Sequence, residues 1–442
     1  MKTSACERCG ATTRRALAYG MPTRDQLEHG TGDARVRLGG CVIHDDSWGS
    51  MCLSCGYRAH AHARTGWTER ATPTLGAAVT AYSEHVRAQL DCATESIVSY
   101  LGLWLLLAVA APADRTGEIA DVLGIAPDTA AETARRLLDA PHPAVAAALG
   151  AWARDPARSR AGLSVSPLPD QETLDDWTRE HTRGLIRGFP TAVTPDVLAV
   201  IASAVIAKPR WVDELAVDAD GMLELTDGLQ AIVNTTAAGT VAVAKPFSAD
   251  GVDVLSVIAG PDITPDHVWR AVDEVVAGLD SGRLWPGDQR APGSGTAGWG
   301  TDGHAWTVTS GYERVERDTP DTLWVSRLPR WRAESGRDLA SAPGVAAAAR
   351  ALVPETDAPR CVQAAAARYD ARGFEAAAVT SLACPTGVPE FHHRRVTRYA
   401  VTFDRPHAVI AVARGGVWEG VPLFNAWVTP EAPRSGARDA HW

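Results

Sequence analysis

Hydrophobic positions along the chain fall into several distinct patterns. "AAVTAYSEHVRAQL", Ala77 to Leu90, carries helical periodicity. "IVSYLGLWLLLAVAA", Ile97 to Ala111, is apolar on every side. It is shorter than the ~20 residues a membrane span needs, and it predicts a buried helix. "DRTGEIADVLGIAPDTAAETARRLLDA", Asp114 to Ala140, predicts two helices about a turn at Gly124, with Ile119, Val122 and Leu123 packing inward. Leu198 to Ala207 is a continuous apolar, β-branched run of the buried-strand type. "VAVAKPFSADGVDVLSVIAGP" predicts two strands around Pro246 and Phe247, and "FDRPHAVIAVARGGVWEGVPLFNAWVTP" predicts a hairpin with a Gly-Gly turn. "PGDQRAPGSGTAGWGTDGHAW" shows no period and predicts an insertion loop.

The composition fits a soluble globular protein with a sizeable core: 442 residues, 45% hydrophobic and 22% charged. A net charge of -10 argues against a broad nucleic-acid footprint. Residues 1–20 hold cysteines where a secretory leader has its apolar core. The expectation is a cytoplasmic protein with no membrane attachment, whose cysteines are thiols or metal ligands. Lysine occurs only at Lys2, Lys208 and Lys245, and alanine is abundant, which points to a GC-rich bacterial genome.

"CERC" and "CLSC" place Cys6, Cys9, Cys52 and Cys55 as two thiolate pairs, each followed by a glycine, Gly10 or Gly56. Two residues between thiols let both sulfurs of a knuckle face one ion, and two knuckles close the tetrahedral site preferred by Zn²⁺. Cys41 and His44 in "GGCVIHDD" compete as ligands. A dithiol redox motif is the rival reading, but it does not account for two matched pairs. Residues 5 to about 58 resemble small bacterial zinc-ribbon proteins, which implies a structural Zn²⁺ and no reaction. Residues 1–60 are thus read as a zinc-ribbon-like module and 61–76 as a linker.

A zinc module ahead of a helix-turn-helix pattern raises the reading of a DNA-binding regulator. A recognition helix needs basic residues toward phosphates and polar residues toward base edges. The second helix of this pair offers Glu132, Arg135 and Arg136, with Asp128 ahead of them and alanines between. Two packed helices without a nucleic-acid role fit that surface better.

From Ile97 onward the chain resembles the serpins, the serine protease inhibitor family, as a divergent bacterial member. "ESIVSYLGLWLLLAVAAPADRTGEIADVLG" is similar to that family's buried helix and its "G-x-T-x-x-E-I" segment, with Ser99 kept and Tyr100 in place of the usual proline. "LDDWTREHTRGLIRGF" matches at Trp177, Thr182, Gly184 and Ile186. "LAVIASAVIAKPRW" matches at Lys208 and Trp211, with Ser203 replacing an asparagine. "TLWVSRLPRWRAESGRDL" matches through Leu328, Pro329, Trp331, Glu334, Asp338 and Leu339, and the closing segment through Pro406, Leu423, Phe424, Val428 and Pro430. The resemblance covers roughly residues 77–432, leaving 433–442 as a polar tail. It implies an α+β fold in which helices pack on a large mixed central sheet with smaller sheets beside it.

The resemblance also gives a role to "RGFEAAAVTSLACPTG", Arg372 to Gly387. In the family this is the hinge of a reactive-centre loop, here Gly373, Phe374, Glu375, Ala376, Ala377 and Ala378. A protease cuts the loop as an acyl-enzyme, and the loop then enters the central sheet as a new strand. Small residues suit it because alternate side chains enter a packed interior. Counting as the family does puts the scissile bond at Gly387–Val388, with Arg394 and Arg395 as better bait for a trypsin-like protease. Phe374 stands where inhibitors use a small residue, so its ring must find a hole or stop insertion. Ala371 stands where they carry a glutamate. The expectation is a protease inhibitor and not an enzyme, a monomer whose partner is a serine or cysteine protease. The alternative is a non-inhibitory binding or scaffold protein of the same fold. His392, His393, Asp404 and His407 are close in sequence, which alone makes no site.

If the paired thiols hold one zinc ion, the Cys6→Ser/Cys52→Ser variant loses bound zinc in metal analysis, while residues 77–442 melt as before. Unchanged zinc content rules out the assignment.

Overall fold

In a computed structural model the described residues are 14–19, 36–40, 48–52, 58–60, 74–87, 96–156, 165–280, 305–316, 319–353, 360–374 and 391–430. The chain divides into two compact units, Met1–Thr72 and Pro73–Trp442. The first holds a four-stranded sheet of β1 (Arg14–Tyr19), β2 (Val36–Gly40), β3 (Trp48–Cys52) and β4 (Arg58–His60), in the order β2-β1-β3-β4. Cys52 closes β3; Cys6, Cys9, Cys41, His44 and Cys55 lie outside the described residues.

The second unit is built around one apolar helix. Helix α1 (Leu75–Arg87) begins two residues before the periodicity does, because the Thr74 hydroxyl accepts a hydrogen bond from the Ala77 amide at 3.2 Å and starts it there. Helix α2 (Tyr100–Ala110) is buried at every residue but Leu106. The apolar run is not helical throughout: Ser96–Val98 forms strand β5, and the Ser99 side chain caps α2 by accepting from the Gly102 amide at 3.2 Å. Helices α3 (Glu118–Leu123) and α4 (Pro127–Asp139) turn at Gly124, which takes φ 67°. Ile119, Leu123, Ala130, Ala134 and Leu137 are buried in the same core as α2, so the apolar faces of this pair are used within the fold. Among the described residues no helix is long and apolar enough to cross a membrane.

A six-stranded antiparallel sheet joins β5 to β11 (Gly228–Thr235), β12 (Gly239–Pro246), β13 (Val252–Ile258), β20 (His407–Ala413) and β21 (Val421–Val428), in the order β11-β12-β13-β20-β21-β5. Its strands read as unbroken apolar runs because both faces are covered. Ala242, Ala244, Val252, Val254, Val409 and Ala411 face the α2 core. Val241, Val243, Leu255, Val257, Ala408 and Ile410 face a second core under helix α6 (Pro265–Asp280). Arg87 of α1 donates to Asp273 of α6, and its guanidinium lies 5.7 Å from the Trp269 ring. Burial pushes the Asp273 carboxyl up while Arg87 pulls it down.

Three further sheets complete the unit. A five-stranded sheet contains β9 (Ala216–Val217), β10 (Leu223–Leu225), β14 (Trp306–Glu316), β15 (Thr322–Leu328) and β19 (Phe391–Thr402), in the order β14-β19-β15-β10-β9. Two three-stranded sheets are β7-β6-β8, from β6 (Val145–Ala153), β7 (Ser166–Pro167) and β8 (Ala199–Ala207), and β16-β17-β18, from β16 (Trp331–Asp338), β17 (Val362–Asp370) and β18 (Gly373–Phe374). Helix α5 (Gln171–His181) packs on β6 and β8, Trp177 meeting Trp152 edge-on at 5.4 Å. Helix α7 (Val345–Leu352) packs on α2.

His407 supplies a pH signature. Its ring is 1% exposed at the start of β20, with Nδ1 2.9 Å from the Arg405 carbonyl and the ring edge-on to Phe403 at 5.1 Å. Burial holds its pKa down at about 4, against an ordinary value of 6.5. The unfolded chain therefore takes up this proton first. The contribution to stability is flat above pH 6.5 and falls between about pH 6.5 and pH 4, by on the order of 3 kcal/mol in all. Chemical denaturation across this range should show a difference of that size and sign between the protein and a His407→Leu variant. A constant difference across the range contradicts it.

Candidate functional site

The two three-stranded sheets face each other across an unpaired gap. β8 is the last strand of its sheet, and β17 is paired on one side by β16 and on the other only by the two residues of β18. β18 is antiparallel to β17 and bridges antiparallel to Arg210, just beyond β8. The chain at Arg210 and β17 therefore run parallel, the relation in which a third, antiparallel strand fits between them. Along Val362–Arg368 no strand pairs β17 on this side among the described residues. The gap opens into a cavity of about 300 Å³.

Helix α2 floors this slot and ties its two walls. Gly102 lies beneath both strands: a Cβ there would meet Ser203 Oγ of β8 at 3.0 Å and Gln363 Nε2 of β17 at 3.6 Å. Ser203 Oγ donates to the Gly102 carbonyl at 2.7 Å. Gln363 accepts from the Ser99 amide and donates to the Ser99 carbonyl, both at 2.8 Å. Ser99 Oγ donates to the Leu423 carbonyl at 2.7 Å, fixing the helix end to the six-stranded sheet. A side chain at 102 would press on the Ser203 hydroxyl, which would have to shift by a few tenths of an ångström. The β17 wall is largely alanine, Ala364 to Ala367, while β8 mixes Ala202 and Ala204 with Val200, Ile201, Val205 and Ile206.

Over the slot lie α5 and the segment after it, through Thr182, Ile186 and Phe189. That segment hangs from α5 by hydrogen bonds. Asp175 accepts from the Phe189 amide at 2.7 Å, which holds its carboxyl below the usual range, and Gln171 accepts from the Val193 amide at 2.9 Å. Cys361 lines the lower end, and burial raises its thiol to about 11, so it stays protonated.

The expected hinge residues Gly373 and Phe374 lie at the head of the slot. Gly373 stands opposite Asp370 and Phe374 opposite Tyr369. On the other side Trp211 donates to the Arg372 carbonyl at 3.0 Å, Phe374 to the Pro209 carbonyl at 3.1 Å, and Leu215 to the Ala371 carbonyl at 2.8 Å. A Cβ at 373 would meet the Pro209 carbonyl oxygen at 2.5 Å, so glycine is needed here for close approach. Phe374 is 4% exposed and meets the Trp331 ring edge-on at 6.0 Å. Tyr369 stacks with Trp331 at 6.0 Å and tilts against Trp211 at 5.3 Å. The Trp211 indole donates to the Asp370 carbonyl at 3.0 Å. The Phe374 ring is thus buried among aromatic rings at the head of the slot.

Of the expected loop residues, Gly373 and Phe374 are placed here. Glu375, Ala376, Ala377, Ala378, Gly387 and Val388 lie outside the described residues. His392, His393, Arg394 and Arg395 form the first part of β19, where Arg394 pairs with Asp321 at 3.4 Å. His407 sits buried at the start of a different strand, in another sheet. Gly102 and Gln363 are the site residues that sequence reasoning missed, and a single sequence carries no signal for either. Among the described residues no group of three metal-binding side chains occurs.

No protein-family model and no curated protein matches the sequence. Solved structures do. A thermophilic serpin, tengpin, in its native state aligns with TM-score 0.54 and 12% identity over 80% of this chain and 93% of that one. Mouse protein Z-dependent protease inhibitor aligns with TM-score 0.54 and 11% identity, over 81% of this chain and 97% of that one. Serpin48 of the insect Tenebrio molitor, described as highly specific, gives TM-score 0.52 and 13% identity, over 81% of this chain and 98% of that one. Helices around several sheets, the short β18 at the head of a slot between parallel strands, and these alignments converge on one architecture: the fold of this chain is serpin-like.

Proposed function

We propose that residues 73–442 inhibit a serine or cysteine protease by taking a cut segment of their own chain into the slot between β8 and β17. The observation that carries this reading is β18. Gly373 and Phe374 already stand as the first antiparallel pairs at the head of the slot. Continuing that register down β17 brings Ser381 opposite Val362. Side chains alternate along a strand, so Ala376, Ala378 and Thr380 would follow Phe374 toward the α2 floor, and Glu375, Ala377 and Val379 would face the α5 side. Each of these inward residues after Phe374 is small. The only large one, Phe374, is already housed. Two relatives in fold are named for this activity, one as a protease inhibitor and one as a highly specific serpin.

A binding role without insertion is the second reading. The fixed seat of Phe374 favours it, since an anchored ring also suits a loop that never moves. For the first unit we propose a structural zinc ion held by Cys6, Cys9, Cys52 and Cys55, supported by the spacing of the two thiol pairs.

Incubation with a panel of serine and cysteine proteases should give an SDS-stable covalent complex with at least one. Protein nicked within residues 375–390 should melt ~10 °C or more above intact protein, since a new central strand adds ladder hydrogen bonds and buried area. Nicking without a rise in melting temperature removes the insertion reading and leaves the binding one. At the head of the slot, Phe374→Ala should cost ~3 kcal/mol or more by emptying the aromatic pocket. Gly373→Val should eject β18, read as new proteolytic sensitivity beside Arg372; resistance equal to the parent protein contradicts the seating described.

A further inference from the structure

The five-stranded sheet narrows to two strands at one end. β14 and β19 pair from Trp306 opposite Val401 to Glu316 opposite Phe391, whereas β15 joins β19 only at Thr397–Thr402. Opposite residues of a ladder share a face, and faces alternate along each strand. One face holds Trp306, Val308, Tyr399 and Val401 and packs on the α2 core. Continued into the two-stranded end, the same face carries Tyr312 opposite Arg395 and Arg314 opposite His393, all four exposed. Tyr312 is 79% exposed, the most of any large apolar side chain among the described residues. The other face is different, because its arginines are matched. Arg398 holds both carboxylate oxygens of Glu313, at 2.6 and 3.1 Å, and Arg394 pairs with Asp321 at 3.4 Å. On the first face Arg395 instead donates to the Ser310 hydroxyl at 3.1 Å, and no carboxylate stands on this face from Ser310 to Arg314 or from His393 to Thr397.

Arg394 and Arg395 suit a trypsin-like protease by residue type, but their backbone is paired with β14. A bond held in a ladder cannot lie extended in an active-site cleft, so Arg395 is placed to be touched rather than cut. His393 lies six residues beyond Gly387 of the expected scissile bond, at most about 21 Å along the chain. A protease–inhibitor footprint of ~800 Å² per partner is about 32 Å across. A protease seated on that bond therefore has this face at or near its rim. Tyrosine and arginine are the residues that most often carry interface energy, and rim charges act on the rate of encounter and its salt dependence.

We propose that Tyr312, Arg314, His393 and Arg395 form a docking face for an acidic surface of the captured protease, which speeds encounter and takes no part in cleavage. The proposal rests on the inhibitor reading. The test uses whichever protease of the panel gives the SDS-stable complex, with Arg314→Glu, a change on β14 and outside the cut segment. The second-order rate of complex formation should fall ~5-fold or more at about 50 mM salt, and most of that loss should vanish at about 0.5 M salt, where exposed charges are screened. The final yield of complex and the melting gain on nicking should match the parent protein. The milder Arg314→Gln should lose less, with the same salt dependence. Parent-like rates for both variants at low salt, or an Arg314→Glu loss of equal size at both salts, overturn the docking face and leave inhibition standing. Salt-sensitive binding of a sulfated polysaccharide that Arg314→Glu abolishes, with protease rates unchanged, also overturns it and assigns the face to a polyanion. If no protease gives a complex with the parent protein, inhibition and docking face fall together.

Discussion

Two strand edges lie parallel to each other across a gap and do not pair, and the rest of the second unit is arranged around that fact. Each unpaired edge presents backbone N–H and C=O groups that a third strand would satisfy. The edges stay apart because each wall is held elsewhere. β8 is paired on its far side with β6, and β17 is paired on its far side with β16. Both rest on the same helix end, through Ser203 to the Gly102 carbonyl and Gln363 to Ser99. A slot of this kind stores free energy in unmade hydrogen bonds and unfilled volume, about 0.5–1.5 kcal/mol net per backbone bond. It contributes nothing until a segment of suitable width arrives.

The side chains around the slot follow from that requirement. Alanines occur on both walls, and glycine is required at the head at 373, where a Cβ would meet the Pro209 carbonyl. At the head, Trp211, Trp331, Tyr369 and Phe374 make a cluster of rings. Tyr369 is buried enough that its hydroxyl stays protonated at any ordinary pH.

Much of this fold was legible in the sequence, and the reasons for the rest are physical. The Gly-Gly hairpin read correctly because two-sided burial makes its strands continuously apolar, whereas the run from Leu198 forms strand β8 although many of its residues are only half-buried beside the slot. The helix expected from Ile97 starts at Tyr100 because Ser99 caps it, a boundary that an unbroken apolar run conceals. β6 is mostly alanine, and β14 follows a Gly/Pro-rich stretch with no period, so neither announced itself. The slot is an absence of pairing between segments about 160 residues apart, and no local pattern encodes an absence. The thiol pairs and the alanine run after Phe374 remain expectations, since most of those residues lie outside the described ones.

The hinge differs in kind from the resemblance that located it. Ala371 stands where a glutamate was expected, and the carboxylate at this turn is that of Asp370, which accepts from the Arg372 amide at 2.9 Å. Backbone adds to it: the carbonyls of Ala371 and Arg372 accept from Leu215 and Trp211, and the Asp370 carbonyl accepts from the Trp211 indole. Of the ionic contacts here, Arg372 with Glu214 at 3.2 Å is about half-exposed at both ends, and Arg368 with Asp370 at 2.9 Å is exposed at its arginine. Such pairs contribute ~0–1 kcal/mol and are screened by salt. Backbone bonds and buried rings are not screened. The hold on the hinge is therefore set by shape more than by charge, through a glycine against a carbonyl and a ring in a fitted pocket. Departure from the slot head then means losing several contacts at once, and the chain beyond Phe374 begins from a fixed register.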